Sequence, residues 1–215
     1  MSDSTLAPDI DQALYALSPE GRELLFTEAK TAYDFSDKPV GDDRLRAIYE
    51  LFKWAPTSAN INPLRILYVR TEEGKQRLLP GVAQPNQEQT ASAPVTAVLA
   101  ADTRYPEYVP FLAPSNPQLQ QMLEANQELR ESHMDFNAVL QAGYFVLAVR
   151  AAGLAAGPMK GFNAEAVDKE FFPDGRWRSL LLVNIGYPSP EAFRDRLPRP
   201  RTSRRSSWSD TSGVM

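Results

Sequence analysis

Apolar residues recur at helical spacing in several parts of the chain, and each of these parts is predicted to be a helix. In residues 42–54, the apolar positions i, i+3, i+6 and i+7 predict one helical face, and they are Leu45, Ile48, Leu51 and Phe52. The first predicted helix contains a Ser18-Pro19-Glu20 start signal. Apart from one longer helix, the predicted helices are residues 9–32, 42–54, 72–79, 118–131 and 164–170.

Three short apolar runs between these helices predict strands. Residues 66–69, 94–101 and 180–185 are almost continuously apolar and end near glycine or polar residues. Continuous apolar runs of this length are typical of strands that are buried on both faces. Three buried strands separated by helices predict an α/β or α+β sandwich.

The most apolar helix is predicted over residues 132–153. Its apolar side chains cover nearly the whole circumference, and Gly153 is a plausible C-terminal cap. A helix that is apolar all round must be buried on all sides. We therefore predict a central helix, which a second subunit could also help to bury.

Three further segments are predicted to be connections. Residues 80–93 form a loop or a broken helix, and residues 157–162 form a tight connector. Residues 104–117 contain four prolines and cannot form a regular helix. This last segment suits a lid on the substrate side, or alternatively a surface that packs against a dimer partner. Its aromatic residues are Tyr105, Tyr108 and Phe111.

The connection over residues 54–65 is the strongest candidate for a binding loop. Pro56 and Pro63 cannot donate backbone hydrogen bonds and disfavour helix in the residues before them. The stiff segment between them could contact a polar, planar ligand. The alternative is an ordinary connector whose side chains satisfy their own backbone. Its short polar side chains are Thr57, Ser58, Asn60 and Asn62.

Composition restricts the possible chemistry more than it defines it. The 215 residues suit one domain, and 23 basic against 27 acidic side chains give a net charge of −4. This balance argues against nucleic-acid or membrane-surface binding, and no apolar run reaches the roughly 20 residues of a membrane span. No export signal is visible, so a cytoplasmic location is expected. With no cysteine and one histidine, we expect no metal site, but redox chemistry on an organic cofactor remains open.

No glycine-rich phosphate-binding motif is present, so a phosphate would have to meet side chains. Lys30, Arg199 and Arg201 are the best candidates, since Pro200 favours an extended chain that projects both arginines to one side. A solvated basic tail is the alternative. At Gly161, which has no side chain, the backbone could approach a planar ring closely, although an ordinary turn is equally consistent with the sequence.

Taken in order, these stretches resemble the flavin-dependent nitroreductase family over about residues 30–201. The most specific motif is WAPTSAN followed by NP, and the other matching stretches are KTAYDFSDKPV, SAPVTAVLA, GPMKGF with DKEFF, LLLVNIGY and RLPRPR. Within the family the chain looks most similar to the malonic semialdehyde reductase branch, through KWAPTSAN, TEEGKQRL, APVTA, GPMKGF and RLPR.

The resemblance implies a mixed sheet flanked by helices, in an intertwined homodimer built on the long central helix, with one FMN in each of two shared sites. The loop that reaches the flavin from the partner subunit matches Pro56, Thr57, Ser58 and Asn60. The groups around the ribityl phosphate match Lys30, Arg199 and Arg201. The segment beside the flavin ring matches Pro158, Met159, Lys160 and Gly161. Asn86 and Gln89 fall near a position that contacts the ring's pyrimidine edge, in an uncertain register.

Two positions depart from the family pattern. Residues 29–33 replace an arginine-rich run, so the phosphate loses one cation, for which Arg199 and Arg201 would have to compensate. Lys160 stands where other branches frequently carry Glu, and a cation there could stabilise reduced anionic flavin.

The resemblance implies an FMN-dependent NAD(P)H oxidoreductase with ping-pong hydride transfer through flavin N5 and no catalytic side chain. The expected acceptor is malonic semialdehyde, which would be reduced to 3-hydroxypropionate. The alternatives are a broad nitroaromatic or quinone reductase and a non-catalytic flavin-binding protein of the same fold. One domain over residues 1–215 is expected, with flexible or partner-wrapping tails at residues 1–8 and about 203–215.

Overall fold

The computed structural model describes residue 13 and residues 15–199. The α-helices in this part of the chain are α1 (Pro19–Arg22), α2 (Asp42–Phe52), α3 (Glu72–Leu78), α4 (Gln84–Ser92), α5 (Val109–Leu112), α6 (Leu119–Ala125), α7 (Gln127–Ala151) and α8 (Ala164–Phe171). The strands are β1 (Leu64–Val69), β2 (Val95–Asp102), β3 (Ala155–Met159) and β4 (Trp177–Gly186).

The four strands form one sheet in the order β1-β2-β4-β3. The α+β fold class is confirmed, because helices flank this sheet on both sides. Each neighbouring pair of described strands is antiparallel, whereas the resemblance implied a mixed sheet.

Strand β3 corrects the prediction of a tight connector over residues 157–162. Pro158 pairs with Val183 of β4 at the edge of the described sheet, where a proline costs no ladder hydrogen bond to a further strand. A Cβ at Gly157 would lie 2.6 Å from the carbonyl oxygen of Ala32, so a glycine is needed for this close approach. Glycine and proline therefore mark an edge strand here rather than a turn.

All eight residues of β2 are buried, because the core lies on both faces of the sheet. On one face, Ala97 and Leu99 pack with Phe145 of α7 and with α2. On the other face, Val98 packs with Leu78 of α3 and with α8. The alternation of residues 97, 98 and 99 between the two clusters follows from the two-residue repeat of a strand.

Helix α7 begins earlier than predicted and is not buried on all sides. The side chain of Asn126 accepts a hydrogen bond from the Leu129 N–H and caps its first turn, so Asn126 divides the predicted helix 118–131 into α6 and α7. Gly153 follows the other end with φ +75°, as the predicted cap requires. Phe136 and Val139 are 61% and 63% exposed in the single chain, so the helix leaves an apolar face uncovered.

Three other boundaries differ from the predictions. The first helix continues from α1 as a π-helical turn over Glu23–Thr27 and ends there, so Lys30 lies outside the helix. Ser18 caps α1, as the start signal indicated. Residues 80–93 contain the regular helix α4. Within residues 104–117, the 3-10 helix Tyr105–Tyr108 and the short helix α5 form, because their prolines lie in first turns, where no donor is needed. Among the described residues, no helix has the length and apolar character needed to cross a membrane.

Candidate functional site

The loop between α2 and β1 is irregular, as its two prolines predict. Its centre is a 3-10 turn over Ser58–Asn60, in which Ala59 and Asn60 have φ angles of +54° and +55°. This left-handed conformation costs about 1–2 kcal/mol for a residue with a Cβ. Two consecutive residues of this kind indicate a loop shape that other contacts must hold in place.

Two buried amides of α7 contact this loop at both ends. The Oδ1 atom of Asn137 accepts a hydrogen bond of 2.8 Å from the Ser58 N–H, and Oε1 of Gln141 accepts one of 3.1 Å from the Leu64 N–H. The side-chain nitrogen of Asn60 donates to the Leu112 carbonyl over 2.6 Å. Ser58 and Asn60 remain exposed, whereas the Thr57 hydroxyl is buried without a partner among the described residues.

A second group of predicted residues meets around Gly161. The Gly161 carbonyl accepts hydrogen bonds from the Ala83 N–H at 3.0 Å and from Nδ2 of Asn86 at 3.1 Å. Nε2 of Gln89 donates to Oδ1 of Asn86 over 2.8 Å. Helix α4 therefore brings Asn86 to Gly161 and Gln89 to Asn86, and which of the two amides contacts a ring stays a prediction. Oε1 of Gln89 is buried and has no partner in the described part of the chain.

A buried polar network contacts α4, the helix that carries Asn86 and Gln89 of this second group. Nζ of Lys75 donates to the Thr90 carbonyl at 2.5 Å and to Oγ1 of Thr96 at 2.7 Å. Thr96 donates to Oδ1 of Asn184, whose nitrogen contacts the Gln89 carbonyl and the Thr90 hydroxyl. Burial lowers the pKa of Lys75 to about 8, and the carboxylate of Glu72 opposes this shift.

The predicted phosphate-binding residues are only partly placed. Lys30 is half-buried, whereas Arg199 is exposed and donates to the carbonyls of Leu197 and Pro198 in its own segment. Arg201 lies outside the described residues, so the projection of both arginines to one side stays a prediction.

Two arginines that the sequence did not single out lie near Lys30. Arg196 donates to the carbonyl of Ala29 at 3.2 Å, and Arg150 donates to the carbonyl of Leu25 at 3.2 Å. Burial, followed by the nearby Arg196, lowers the pKa of Arg150. The described ion pairs include no carboxylate bound to these two arginines or to Lys30. Positive charge therefore accumulates here without a described counter-ion.

The aromatic residues of the predicted lid divide into two kinds. Tyr105 is 1% exposed, and its hydroxyl donates to the Arg130 carbonyl at 3.0 Å. Its proposed place on the substrate side is wrong, because this side chain belongs to the core. Tyr108 and Phe111 are 43% and 85% exposed. They line a cavity of roughly 1460 Å³ together with Trp54 and Asn60.

A buried carboxylate fixes Arg65, which is one of the residues that line this cavity. Asp102 lies between Arg65 and Arg176, at 2.9 Å from Nη2 of Arg65 and 3.0 Å from Nε of Arg176. The guanidinium of Arg65 lies 4.9 Å from the centre of the Tyr108 ring. Tyr108 therefore rests on an arginine whose position is set by Asp102.

Apart from the predicted phosphate-binding residues, the predicted site residues thus include two separate groups in one chain. Asn86, Gln89 and Gly161 meet at the end of β3, whereas Thr57, Ser58 and Asn60 lie beside α7 and the exposed aromatic residues. No hydrogen bond or ion pair within residues 15–199 joins the two groups. In the same residues, no cluster of three or more His, Cys, Asp or Glu side chains could hold a metal ion.

Sequence analysis missed the buried polar residues that support both groups. They lie in segments that were treated as purely apolar or as ordinary helix, namely Lys75, Thr90, Asn137, Gln141 and Asn184. A usable signal was present on α7, where Asn137 and Gln141 interrupt an apolar helix four residues apart. Such a pair shares one face, and buried amides need partners.

Comparison with known proteins places this architecture in a known class. The sequence profile described as the nitroreductase family matches residues 27–187. A protein of Streptomyces coelicolor, provisionally named NADH dehydrogenase/NAD(P)H nitroreductase, is 53% identical over 190 residues, which cover 88% of this chain and 94% of the relative. A protein of the same provisional name from Rhodopseudomonas palustris is 45% identical over 175 residues, covering 81% and 89%. The chain belongs to the nitroreductase family.

Solved structures agree with this fold. A nitroreductase family protein from Streptococcus pneumoniae has a TM-score of 0.75 at 23% identity, covering 86% of this chain and 98% of that one. A provisionally assigned nitroreductase from Exiguobacterium sibiricum, solved in complex with FMN, has a TM-score of 0.73 at 19% identity, covering 89% and 98%.

Proposed function

We propose that this protein is an FMN-dependent NAD(P)H oxidoreductase. The observation that carries the proposal is the group of Asn86, Gln89 and Gly161 at the end of β3, in a chain of the nitroreductase family. Relatives named NADH dehydrogenase/NAD(P)H nitroreductase and the FMN-bound structure of similar fold support it.

The residues present fit a flavin ring. Oε1 of Gln89 is a buried acceptor without a described partner, and the pyrimidine edge of a flavin carries an N–H donor. The missing side chain of Gly161 makes room for Asn86, whose Nδ2 lies 2.4 Å from where a Cβ would stand, and Asn86 in turn fixes the Gly161 carbonyl. In this proposal Pro158, Met159, Lys160 and Gly161 line the ring, with Asn86 and Gln89 at its edge.

Lys30, Arg199 and Arg201 would bind the phosphate of the same cofactor. The positive charge of Arg150 and Arg196 near Lys30 supports this location, because a phosphate would supply the missing counter-ion. The cation that residues 29–33 lack would then be replaced by Arg196 as well as by Arg199 and Arg201.

We assign the loop with Pro56, Thr57, Ser58 and Asn60 to the flavin of a partner subunit in a homodimer. The separation of this loop from Gly161 within one chain supports a shared site. The exposed Phe136 and Val139 of α7 support a dimer interface, because exposed apolar surface of this kind commonly marks contact with another chain.

Bound FMN would supply hydride transfer from NAD(P)H to the acceptor in alternating steps. The residues of this chain would orient the ring, hold the phosphate and limit access of water. No side chain need act as nucleophile. Tyr108 and Phe111 would shape the space for the acceptor.

Malonic semialdehyde, reduced to 3-hydroxypropionate, is the first proposed acceptor. Lys160 supports an acceptor that carries a carboxylate, because it is exposed beside Gly161 and no described carboxylate pairs with it. A broad nitroaromatic or quinone reductase is the second candidate, favoured by the names of the relatives. The third is a non-catalytic flavin-binding protein.

The proposal also includes a cytoplasmic location and a single domain over residues 1–215. The packing of all described core clusters on or around one sheet supports one domain. The tails proposed at residues 1–8 and about 203–215 lie outside the described residues.

An absorption spectrum of the purified protein tests the cofactor first. Bound FMN should give a yellow protein that bleaches when NADH or NADPH is added without oxygen. Anaerobic stopped-flow with each acceptor then separates the candidates. Faster reoxidation by nitroaromatics than by malonic semialdehyde would reject the first acceptor, and a yellow protein that neither nicotinamide bleaches would favour the non-catalytic alternative.

A further inference from the structure

Helix α7 contributes two buried amides to the loop of residues 56–64. Asn137 and Gln141 are 0% and 4% exposed and lie four residues apart on the same face. A buried amide destabilises a core unless its donors and acceptors are paired. Both side chains are paired, and most of their partners belong to the loop.

Asn137 fixes the start of the 3-10 turn. Its Oδ1 accepts from the Ser58 N–H, while its Nδ2 donates over 2.8 Å to the carbonyl of His133, one turn earlier in α7. The second bond restricts rotation of the amide, so the oxygen is held toward Ser58. An apolar side chain here would leave the Ser58 N–H without this acceptor.

Gln141 fixes the end of the loop. Its Oε1 accepts from the Leu64 N–H, and its Nε2 donates to Oδ1 of Asn62 at 2.8 Å. Asn62 in turn donates through Nδ2 to the carbonyl of Asn60 at 2.7 Å. The contact from α7 therefore extends to a residue with positive φ.

The loop also contacts the neighbouring segment that contains Phe111 and Leu112. Asn60 donates through Nδ2 to the carbonyl of Leu112, which follows the exposed Phe111. The left-handed conformation of Ala59 would relax readily in a free loop, since among residues with a Cβ mainly Asn and Asp tolerate it. The hydrogen bonds from α7 oppose that relaxation at Ser58 and, through Asn62, at Asn60.

We propose that Asn137 and Gln141 are positioning residues that preset the loop of residues 56–64, and through it the Phe111 segment, for the flavin of the partner subunit. This inference rests on the proposed function, because the loop shape matters to catalysis only where the loop lines a flavin site. Neither amide touches the cofactor; each acts through the backbone of the loop.

Three variants remove the contacts in different ways. Asn137→Leu and Gln141→Met replace each amide with an apolar side chain of similar size, and Asn62→Ala removes the connection to Asn60 without changing the helix. Phe145→Leu is the matched control, since Phe145 lies in the core on the same helix, packs against the Phe52 ring of α2 and makes no hydrogen bond to the loop through its side chain.

The dissociation constant for FMN, measured by quenching of FMN fluorescence, is the main readout. We expect it to rise about tenfold in Asn137→Leu and Gln141→Met, as loss of such a hydrogen bond predicts, and less in Asn62→Ala. The visible circular dichroism of bound flavin should change, and KM for the acceptor should rise more than kcat falls. The control should lose thermal stability but leave the FMN affinity within twofold.

A mixed dimer tests the action across the interface. One chain carries Asn137→Leu and the other Gly161→Val, with different purification tags. If the loop serves the partner, one site of the mixed dimer contains both substitutions and the other contains neither. We therefore expect one FMN per dimer bound with wild-type affinity.

The outcomes distinguish this inference from the function on which it rests. Wild-type protein that binds FMN, together with loop variants that keep wild-type affinity and dichroism, would overturn the inference alone. A mixed dimer without a normal site would place the loop in its own subunit's site and would overturn the partner assignment. Wild-type protein that binds no FMN would overturn the proposed function and this inference together. Asn62→Ala, at a half-buried loop position, keeps the test decisive if a helix variant fails to fold.

Discussion

The side-chain nitrogen of Asn86 lies 3.1 Å from the carbonyl oxygen of Gly161, although the two residues are 75 positions apart in the chain. This contact joins α4 to the segment that follows β3. It also leaves Gln89, bonded to Asn86, with one free buried oxygen at the same place. The proposed flavin-binding group depends on this geometry.

Gly161→Ala should weaken FMN binding while the fold persists. A Cβ at this position would lie 2.4 Å from Nδ2 of Asn86, so the amide must move and lose its bond to Gly161. The cost should be about 1 kcal/mol of stability, and the FMN affinity should fall. Fluorescence titration measures the affinity. Gly41→Ala is the control, because a Cβ there meets nothing within 4 Å, and equal affinities in the two variants would contradict the assignment of Gly161.

Removal of Arg199 and Arg201 together should reduce FMN retention. Two charge-assisted phosphate contacts would be lost, each worth roughly 1.5–3 kcal/mol. Retention is measured as the flavin-to-protein ratio after dialysis at several salt concentrations. The double variant Arg204→Ala with Arg205→Ala removes the same charge from the tail and should retain FMN. Equal retention by both double variants would exclude Arg199 and Arg201 from the site.

Lys75→Met should remove a pH dependence of stability. Burial depresses the pKa of Lys75 to about 8 from about 10.5, so the folded protein binds fewer protons than the unfolded chain between these values. The unfolding free energy of the wild type should therefore rise relative to the variant as the pH increases from 8 to 10.5, by about 3 kcal/mol in total. Below pH 8 Lys75 is protonated in both the folded and the unfolded state, so it adds no pH dependence to the unfolding free energy.

Urea unfolding at pH 7.5 and pH 9.5, at one protein concentration, measures that difference. The groups that contact the Lys75 ammonium from other elements, the Thr90 carbonyl and the Thr96 hydroxyl, do not titrate in this range. Glu72 on the same helix is its described charged neighbour. Parallel pH profiles of the two proteins would show that Lys75 keeps an ordinary pKa.

Phe111→Ala should change the acceptor KM and leave stability nearly unchanged, whereas Tyr105→Phe should do the reverse. Phe111 is 85% exposed, so its truncation should barely change stability but should raise the acceptor KM severalfold. Tyr105→Phe removes a buried hydrogen bond to the Arg130 carbonyl and should cost about 1 kcal/mol without changing KM. Steady-state kinetics and thermal unfolding of both variants measure these effects. If KM changed in Tyr105→Phe and not in Phe111→Ala, Tyr105 and not Phe111 would contact the acceptor.

Val139→Glu should prevent dimerisation without unfolding the chain. The side chain is 63% exposed in one subunit, so a charge is tolerated there, whereas burial at a subunit interface would be costly. Light scattering should detect a folded monomer with reduced FMN retention, and Val139→Ala should stay dimeric. A Val139→Glu dimer that retains full flavin would exclude this face of α7 from the interface.

The sequence by itself determined the elements whose signals are local. Apolar periodicity placed α2, and apolar runs placed β2 and β4, because one-sided or complete burial leaves a repeating pattern. Ser18 and Gly153 marked helix ends through their own capping and backbone preferences. The family resemblance supplied the candidate residues, since the order of its motifs is written in the chain.

Tertiary structure decided the features that depend on residues far apart. The segment with Gly157 and Pro158 became an edge strand because β4 pairs with it, although its local signal was a turn. Tyr105 became a core residue because its ring packs with α6 and α7, and the Arg130 carbonyl accepts from its hydroxyl. Asn86 met Gly161, and Asn137 met Ser58, through hydrogen bonds between distant segments. Such bonds follow from the packing of whole elements, which no local pattern of apolar and polar residues specifies.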